Sequence, residues 1–358
     1  MNAYERYLAV FDDEKRKKID RVPLHVQYIR EEFIEKNKSE LMNNYSGILY
    51  RNYYYDIPMI LGFDSIFAPF PSSYKIKPIK IRKNTSVTLK IGENGQSTKH
   101  NTEYYEGGYI KTLEILENLE SNLKLVDSTE QIQKVIRYYE KISSKIFPIL
   151  MVDGIFDRVW KAMGMIEFSR HYRNCSKLYK KLINFYAKLT KINIEGLINA
   201  TGNSGKVITI LDDVAYKGRT MIPPTRWQID FCPNYKEITS LIKDAGMIPQ
   251  LHTDGDVTDL ISSFIDAGFL GLQGFEGGCD PYYINDNFPE FVIIGFGDVS
   301  YVLPYGSTKE IEDHVRYLMG ALKENRHFII GPSTVIFKEI SLKNVKFFIE
   351  ICKKVGTY

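Results

Sequence analysis

Residues 248–276, IPQLHTDGDVTDLISSFIDAGFLGLQGFE, contain the pattern that decides the fold. The short apolar run Ile248–Leu251 ends at His252, which predicts a buried strand followed by a polar loop. Residues 257–267 have the spacing of a helix and end at a glycine, the residue that most often follows a helix. A second short strand is predicted at Gly271–Gln273. The stretch therefore predicts one strand–helix–strand unit of a parallel sheet.

The same alternation of short apolar runs and helical segments extends over most of the chain. Strands of a parallel sheet are buried on both faces and appear as continuous apolar runs. Eight such runs fit a closed barrel better than an open doubly wound sheet, and no GxGxxG motif follows the first run. We expect a single α/β domain over residues 1–358, a (β/α)8 TIM barrel. Its strands are predicted to begin at Val22, Ser65, Phe147, Val207, Ile248, Gly271, Phe291 and Phe328.

Residues 75–112 have a different character. The runs 74–81 (YKIKPIKI) and 86–91 (SVTLKI) alternate apolar and polar residues around a turn at Asn84. This pattern is typical of a hairpin, so we expect a small antiparallel insertion in the barrel here. Helices are expected at Ser128–Ser143, where Ser128 and Gln131 fit a capping box, and at 166–199, Pro224–Ala245 and 308–323.

The composition excludes several classes of protein. The chain has 47 basic and 44 acidic residues among 358, and this balance gives no indication of binding to nucleic acid or to a membrane surface. No apolar run approaches the roughly 20 residues that cross a bilayer, and the polar N-terminus does not resemble a signal peptide. The four cysteines form no CxxC pair. We therefore expect a soluble cytoplasmic protein.

Acidic residues and one histidine follow the predicted strands, where the active sites of TIM barrels lie. His252 leaves a buried strand with Asp254 two residues later, and a histidine beside carboxylates can act as an acid, a base or a metal ligand. The alternative is that some of these acids only cap the following helices. The group consists of Asp153, Asp212, Asp213, His252, Asp254, Glu276 and Asp298.

Other candidates are less specific. Tyr216 and Arg219 could hold a carboxylate or a phosphate. His25 lies within the first predicted strand and could face the barrel interior, whereas His314 lies on a predicted helix and is expected at the surface. Cys279 could be a nucleophile or a ligand, but a structural role is the more frequent one for such a cysteine.

Several blocks of the sequence resemble the uroporphyrinogen-decarboxylase-like superfamily. They are Leu211–Trp227 (LDDVAYKGRTMIPPTRW), Gln250–Glu276 and Ile293–Val315, with an opening block at Glu5–Leu24 and a closing block at His327–Thr334. The resemblance implies a TIM barrel and one of two chemistries. The first is cofactor-free decarboxylation of porphyrinogen acetates, and the second is methyl transfer between a corrinoid and a thiol or a folate-type acceptor.

Departures from the superfamily patterns favour the second chemistry. The decarboxylases carry an arginine-rich segment after the first strand, where this chain has VQYIREEF with the single arginine Arg30. The thiol methyltransferases hold zinc through His-x-Cys and a later cysteine. This chain keeps His252, but Asp254 replaces the first cysteine, and Ser333 or Thr334 lies near the position of the second. If a metal binds at His252 and Asp254, the resemblance implies a harder site than a thiolate one.

The resemblance therefore implies a corrinoid-dependent methyltransferase that acts on a small-molecule methyl donor or acceptor. A small corrinoid protein would supply the cobalamin in trans, and a homodimer is compatible with the superfamily. The alternatives are a decarboxylase of tetrapyrroles or other carboxylates that uses Arg30, Arg158 and Arg219, and a non-catalytic barrel that binds a corrinoid or a tetrapyrrole. The expected catalytic residues are His252, Asp254, Asp213 and Glu276, and the expected substrate contacts are Asp212, Tyr216, Arg219, Asp298, Arg30 and His25.

Overall fold

Eight parallel strands form one sheet in chain order in a computed structural model, which describes residues 1–43, 53–82, 88–96, 105, 107–202 and 206–358. A parallel bridge between Leu24 and Ile330 joins the first strand to the last and closes the barrel. The predicted TIM barrel is confirmed, with a strand at each of the eight predicted places. In order, the barrel strands are His25–Val26, Ser65–Ala68, Phe147–Asp153, Val207–Leu211, Ile248–Thr253, Gly271–Gly274, Val292–Gly297 and Phe328–Pro332.

Helices surround the barrel and pack their apolar faces on its outer surface. Within the described residues, no helix combines the length and apolar character that a membrane span requires. A short 3₁₀ helix covers Thr258–Leu260. The α-helices are Ala3–Ala9, Asp13–Arg16, Glu31–Asn43, Tyr53–Leu61, Leu113–Ser121, Thr129–Ile142, Phe156–Met163, Met165–Arg173, Lys177–Thr201, Pro224–Asp230, Cys232–Asp244, Ile261–Asp266, Pro281–Asn287, Val302–Tyr305, Thr308–Leu322 and Leu342–Gly356.

The N-terminal helix Ala3–Ala9 closes the amino-terminal end of the barrel, which we call the floor. Tyr7 is fully buried, and its ring packs against Phe147 at the start of the third barrel strand. The Tyr7 hydroxyl donates a hydrogen bond to Oε1 of Gln250 over 2.8 Å. Because Gln250 lies on the fifth strand, this bond ties the helix to the barrel interior.

The floor also contains a network of opposite charges. Asp64, just before the second strand, accepts from Arg6 Nη1 at 2.7 Å and from Arg21 Nη1 at 2.7 Å. The backbone N–H of Leu24 donates to the same carboxylate over 2.7 Å. The Arg6 guanidinium also binds Asp20 and holds the pKa of that carboxyl well below its usual range. Each carboxylate of the network therefore has a cationic partner.

The antiparallel insertion is present, with one difference from the prediction. Ile79–Arg82 pairs with Thr88–Ile91 as an antiparallel hairpin, while the Asn84 turn lies outside the described residues. The prediction of one continuous run over 74–81 is wrong. Tyr74–Ile76 pairs instead with Leu123–Leu125, because Pro78 lacks the N–H that a continuing ladder needs.

Two predicted helices are divided. The helix expected at 166–199 is broken at Cys175, whose backbone has a left-handed φ of 47°. The helix expected at Pro224–Ala245 is interrupted at Phe231, which is buried against the ring of Phe156. At Phe231, packing against a segment distant in sequence overrides the local helical pattern.

The helix that begins at Thr129 is confirmed, but its predicted capping box is wrong. The Ser128 hydroxyl makes no bond to the first turn. It bonds to the Ser73 hydroxyl over 2.8 Å, so a long-range buried partner replaces the local one.

Candidate active site

His252 lies near the end of the fifth strand, and contacts on both ring nitrogens hold its buried side chain. Its Nδ1 is 2.5 Å from Oε1 of Gln273. The other end of that amide, Nε2, donates to the Ser333 carbonyl over 2.9 Å, which leaves Oε1 as the acceptor for His252. In the neutral form of the ring, Nδ1 therefore carries the proton and Nε2 keeps its lone pair.

The second nitrogen of His252 faces two polar groups. Gln27 Nε2 lies 3.4 Å away, and its amide is oriented by the Thr334 hydroxyl, which donates to Gln27 Oε1 over 2.9 Å. Asp213 Oδ1 lies 3.8 Å from the same nitrogen. The lone pair is thus positioned to accept a proton or to bind a cation next to a carboxylate.

Asp213 and Asp254 complete a cluster with His252, which we call the His252 cluster. One ligand atom of each residue lies within 4.8 Å of the other two. The Asp254 Oδ1 atom is buried and has no hydrogen-bond partner among the described residues. Burial raises the pKa of Asp254 to about 6, an effect that His252 opposes and the charge of Asp213 reinforces. Asp254 can therefore exchange a proton near neutral pH.

The His252 cluster fits a divalent cation. An imidazole nitrogen and two carboxylates are ligands that zinc accepts, and a cation would satisfy the partnerless Oδ1 of Asp254. Cys279 supplies no thiolate here, because its Sγ contacts Asp256 Oδ1 at 3.5 Å and burial raises its pKa to about 11. The donor set is accordingly the harder nitrogen and oxygen type.

Asp212 has a different environment from its neighbour Asp213. Its buried carboxylate accepts from the backbone N–H of Asp157 at 2.7 Å and of Phe156 at 3.1 Å, and from the hydroxyl of Tyr235. Burial raises the pKa of Asp212 to about 6. Asp212 thus fixes the start of the helix Phe156–Met163, and its contacts give no support to the predicted substrate role.

Glu276 and Asp298 line a cavity of about 540 Å³ at the carboxyl ends of the sixth to eighth strands, which we call the mouth cavity. Glu276 accepts from the Ser300 hydroxyl over 2.7 Å. Asp298 accepts from the backbone N–H of Ser300 at 2.7 Å and of Tyr301 at 2.8 Å. Of these two predicted residues, Glu276 lies close enough to the His252 cluster for its charge to contribute to the raised pKa of Asp254, whereas Asp298 bonds to its own loop.

Tyr216 and Arg219 lie on an exposed two-stranded ribbon after the fourth strand. The Arg219 guanidinium lies 5.1 Å from the centre of the Tyr216 ring. The ribbon is tied to the loop after the sixth strand, since the N–H of Gly218 donates to the Gly277 carbonyl over 2.9 Å. Both residues are thus at the rim of the mouth rather than in the His252 cluster.

His25 does face the barrel interior. It is fully buried, and its Nδ1 lies 2.9 Å from the Ser65 hydroxyl. Burial lowers its pKa to about 3, which keeps the ring neutral. The Phe67 ring contacts both His25, at 4.7 Å, and His252, at 5.9 Å between ring centres. Arg30 is half-buried after the first strand, 5.4 Å from the centre of the Tyr28 ring.

Sequence reasoning missed several residues around the site. Gln27 and Gln273 orient His252, and the signal for Gln273 was a polar residue inside a buried strand, which requires a partner. Asp157 was also missed, and burial raises its pKa to about 7 beside Lys161. The prediction that His314 is a surface residue was wrong: the ring is half-buried and lines the mouth cavity, and its Nε2 lies 3.2 Å from the backbone nitrogen of Asp298 and 3.1 Å from the carbonyl oxygen of Phe296.

Comparisons with known proteins agree with this architecture. A methyltransferase from Methanosarcina mazei shares the fold, with a TM-score of 0.62, 15% sequence identity and coverage of 99% of both chains. The sequence matches no curated protein significantly. The profile of the family described as uroporphyrinogen decarboxylase (URO-D) matches residues 108–355. Since this match spans more than half of the chain, the protein belongs to the uroporphyrinogen decarboxylase family.

Proposed function

We propose that the protein is a corrinoid-dependent methyltransferase that moves a methyl group between a small molecule and a corrinoid carried by a separate protein. The single observation that carries this proposal is the His252 cluster at the barrel mouth. It joins an imidazole with a free lone pair to two carboxylates, one of which titrates near neutral pH. The methyltransferase with the same fold agrees with this proposal.

The cluster has the groups that methyl transfer requires from a protein. The corrinoid supplies the cobalt that gives or accepts the methyl group. When a methyl group leaves an oxygen or a nitrogen, that atom gains an electron pair, and protonated Asp254 can provide the proton that stabilises it. In the opposite direction, Nε2 of His252 can remove the proton of an acceptor. The oriented ring and its carboxylates hold the small molecule in line for transfer.

A divalent metal is part of the proposal as an optional component. His252 Nε2, Asp213 and Asp254 would hold it. When bound, such an ion lowers the pKa of an acceptor and polarises it. The hydrogen bond from His252 Nδ1 to Gln273 is the outer contact that metal-binding histidines commonly make.

Two of the three arginines named for a decarboxylase have partners within the protein. Arg158 is buried on the helix Phe156–Met163, and its guanidinium lies 4.5 Å from the centre of the Tyr186 ring and donates to the Tyr74 hydroxyl. Arg219 stacks on Tyr216 at the exposed rim. We therefore favour methyl transfer over decarboxylation.

The test mixes the purified protein with methylcobalamin and candidate acceptors, or with Co(I) cobalamin and candidate methyl donors, and follows the corrinoid absorbance. A native corrinoid protein is supplied in parallel. We expect exchange between the methyl-Co(III) and Co(I) spectra that depends on the protein. His252→Ala and Asp213→Asn should each slow the exchange by about 10²-fold or more.

Asp313→Asn is the matched control, because Asp313 is an exposed residue of the helix Thr308–Leu322 and pairs only with Lys309 among its described contacts. It should leave the rate unchanged. Full activity of both site variants would remove the His252 cluster from the mechanism. No exchange with any corrinoid, together with turnover of a porphyrinogen, would replace the proposal by decarboxylation, and tight corrinoid binding without turnover would replace it by a binding role.

A further inference from the structure

Two phenylalanines in the wall of the mouth cavity have strained backbones. Phe275 has a φ of 65° and Phe296 a φ of 66°, a left-handed conformation that bulky residues rarely adopt. They follow Gly274 and Gly295, which are paired in register on the sixth and seventh strands. Their rings stack, with centres 4.6 Å apart and planes 7° apart. Strain of this kind persists where the surroundings impose it and is concentrated at functional sites.

The charge of the mouth cavity is negative. Among the described residues that line it, three carboxylates, Glu276, Asp280 and Asp298, face a single ammonium, that of Lys217. The His314 ring adds no positive charge near neutral pH, because burial lowers its pKa. The cavity therefore favours a cation over an anion.

The cavity wall also contains a polar group that lacks a partner. Ser333 is 1% exposed, and its hydroxyl oxygen makes no hydrogen bond to any described residue. Its carbonyl accepts from Gln273, the residue that orients His252. Ser333 thus connects the wall of the mouth cavity to the His252 cluster, and a bound molecule could satisfy its hydroxyl.

We infer that the mouth cavity binds the methyl-bearing substrate and that this substrate is a methylated ammonium cation. The inference rests on the proposed function and names its substrate class. The carboxylates of Glu276 and Asp298 balance the charge of the cation, the Ser333 hydroxyl can accept a hydrogen bond from it or donate one to it, and the apolar atoms of Phe275 and Phe296 in the cavity wall contact its methyl groups. The volume of about 540 Å³ is in the range of small-molecule sites.

Binding to the protein alone tests this inference. The probes are choline and 3,3-dimethyl-1-butanol, which has carbon in place of the charged nitrogen, and the measurement is titration calorimetry. We expect choline to bind about tenfold more tightly than its neutral analogue, which corresponds to about 1.4 kcal/mol. Glu276→Gln should weaken choline binding about fivefold and leave the binding of the analogue unchanged, since only the cation senses the lost charge.

Glu276→Gln keeps an acceptor for the Ser300 hydroxyl, so the variant should fold. Glu130→Gln is the matched control, because Glu130 is an exposed residue of the helix Thr129–Ile142. It should change neither affinity. Equal affinity for the two probes, or equal weakening of both by Glu276→Gln, would overturn the inference.

The outcome is separable from that of the proposed function. Methyl transfer from a neutral ether without any preference for choline would refute the cationic substrate and leave the methyltransferase in place. Choline binding that depends on Glu276, without methyl transfer to any corrinoid, would support the cation site and refute the proposed reaction.

Discussion

Carboxylates at the floor and at the mouth of the barrel lie in opposite electrostatic environments. At the floor, Asp64 lies between Arg6 and Arg21, and a backbone N–H completes its hydrogen bonds. At the mouth, Asp254 and the 41% exposed Asp213 lie beside each other and His252, and the Asp254 Oδ1 atom has no partner among the described residues.

The difference separates the requirements of stability from those of chemistry. A buried charge with partners keeps its ionised form and holds segments together, so it offers little to a reacting molecule. A buried carboxyl without a cationic partner has a raised pKa and can bind a proton or a metal. The floor is therefore expected to respond to mutation in its stability, and the mouth in its titration and binding.

The largest expected effect is at the floor. Asp64→Asn removes the charge that two buried guanidinium groups share, so the free energy of unfolding should fall by about 3–5 kcal/mol. Urea denaturation measures this change. Asp13→Asn is the control, because Asp13 is 81% exposed in its pair with Arg16, and it should have an effect below about 1 kcal/mol. Equal effects of the two variants would mean that the floor network does not stabilise the fold.

The second prediction concerns the mouth, where removing a charge should stabilise the protein. The pKa of Asp254 is raised to about 6 in the folded state, so the folded protein binds this proton more tightly than the unfolded chain does. Its contribution to stability is therefore complete below the unfolded pKa of about 4 and is lost as the pH rises through 6. Asp254→Asn cannot ionise and should be more stable than wild type at pH 8 by about 2 kcal/mol.

The stability difference between Asp254→Asn and wild type should become smaller as the pH falls towards 4. Thermal or urea unfolding in the presence of a chelator, at pH 4 and pH 8, measures the two differences. A variant that is less stable than wild type at pH 8 would show that Asp254 has a stabilising partner, as Asp64 does.

The third prediction tests how the mouth orients its histidine. Gln273→Leu removes the acceptor of His252 Nδ1, and the affinity for zinc should fall about tenfold, as is typical when such an outer contact is lost. Competition with a chromophoric chelator measures the affinity. Gln133→Leu is the control, because Gln133 donates to the Ala200 carbonyl on the outer helices. If wild type binds no zinc at all, the metal is removed from the proposal.

The smallest expected effect is again at the floor. Tyr7→Phe deletes the hydroxyl that bonds to Gln250 inside the barrel, and the unfolding free energy should fall by about 1 kcal/mol. Tyr4→Phe, at a more exposed position of the same helix, should change it less. A neutral result for Tyr7→Phe would mean that the bond to Gln250 does not stabilise the fold, and that the Arg6–Asp64 pair and apolar packing hold this helix to the barrel.

The barrel could be predicted from sequence because each of its strands is a short apolar run bounded by loop residues. The breaks in the outer helices could not be predicted, because they depend on distant partners. Phe231 interrupts a helical pattern where it packs against Phe156. The Ser128 hydroxyl bonds to Ser73 instead of capping its own helix. In each case, a contact between segments far apart in sequence competes with a local preference.

The location of the candidate site at the strand ends could be predicted from the sequence, but the roles of its individual residues could not. Asp212 and Asp213 are adjacent acids after the same strand, and nothing in the sequence distinguishes their roles. Successive side chains of an extended segment point in opposite directions, so one caps a helix and the other faces His252. Which of the two faces inward depends on the register of the barrel, and that register is fixed only by the pairing of all eight strands.

The closed floor has a consequence for the order of events. Tyr7, Ala9 and Val10 are fully buried and fill one end of the barrel, so a molecule that reaches His252 is expected to enter and leave by the mouth. Two reactants that use the same entrance cannot enter it at the same time. A large partner docked over the mouth would retain a small molecule that is already bound. It would block the entry of a small molecule that has not yet bound. For the proposed transfer to a separate corrinoid protein, steady-state kinetics should therefore show a compulsory order, in which the small molecule binds first and its product leaves last.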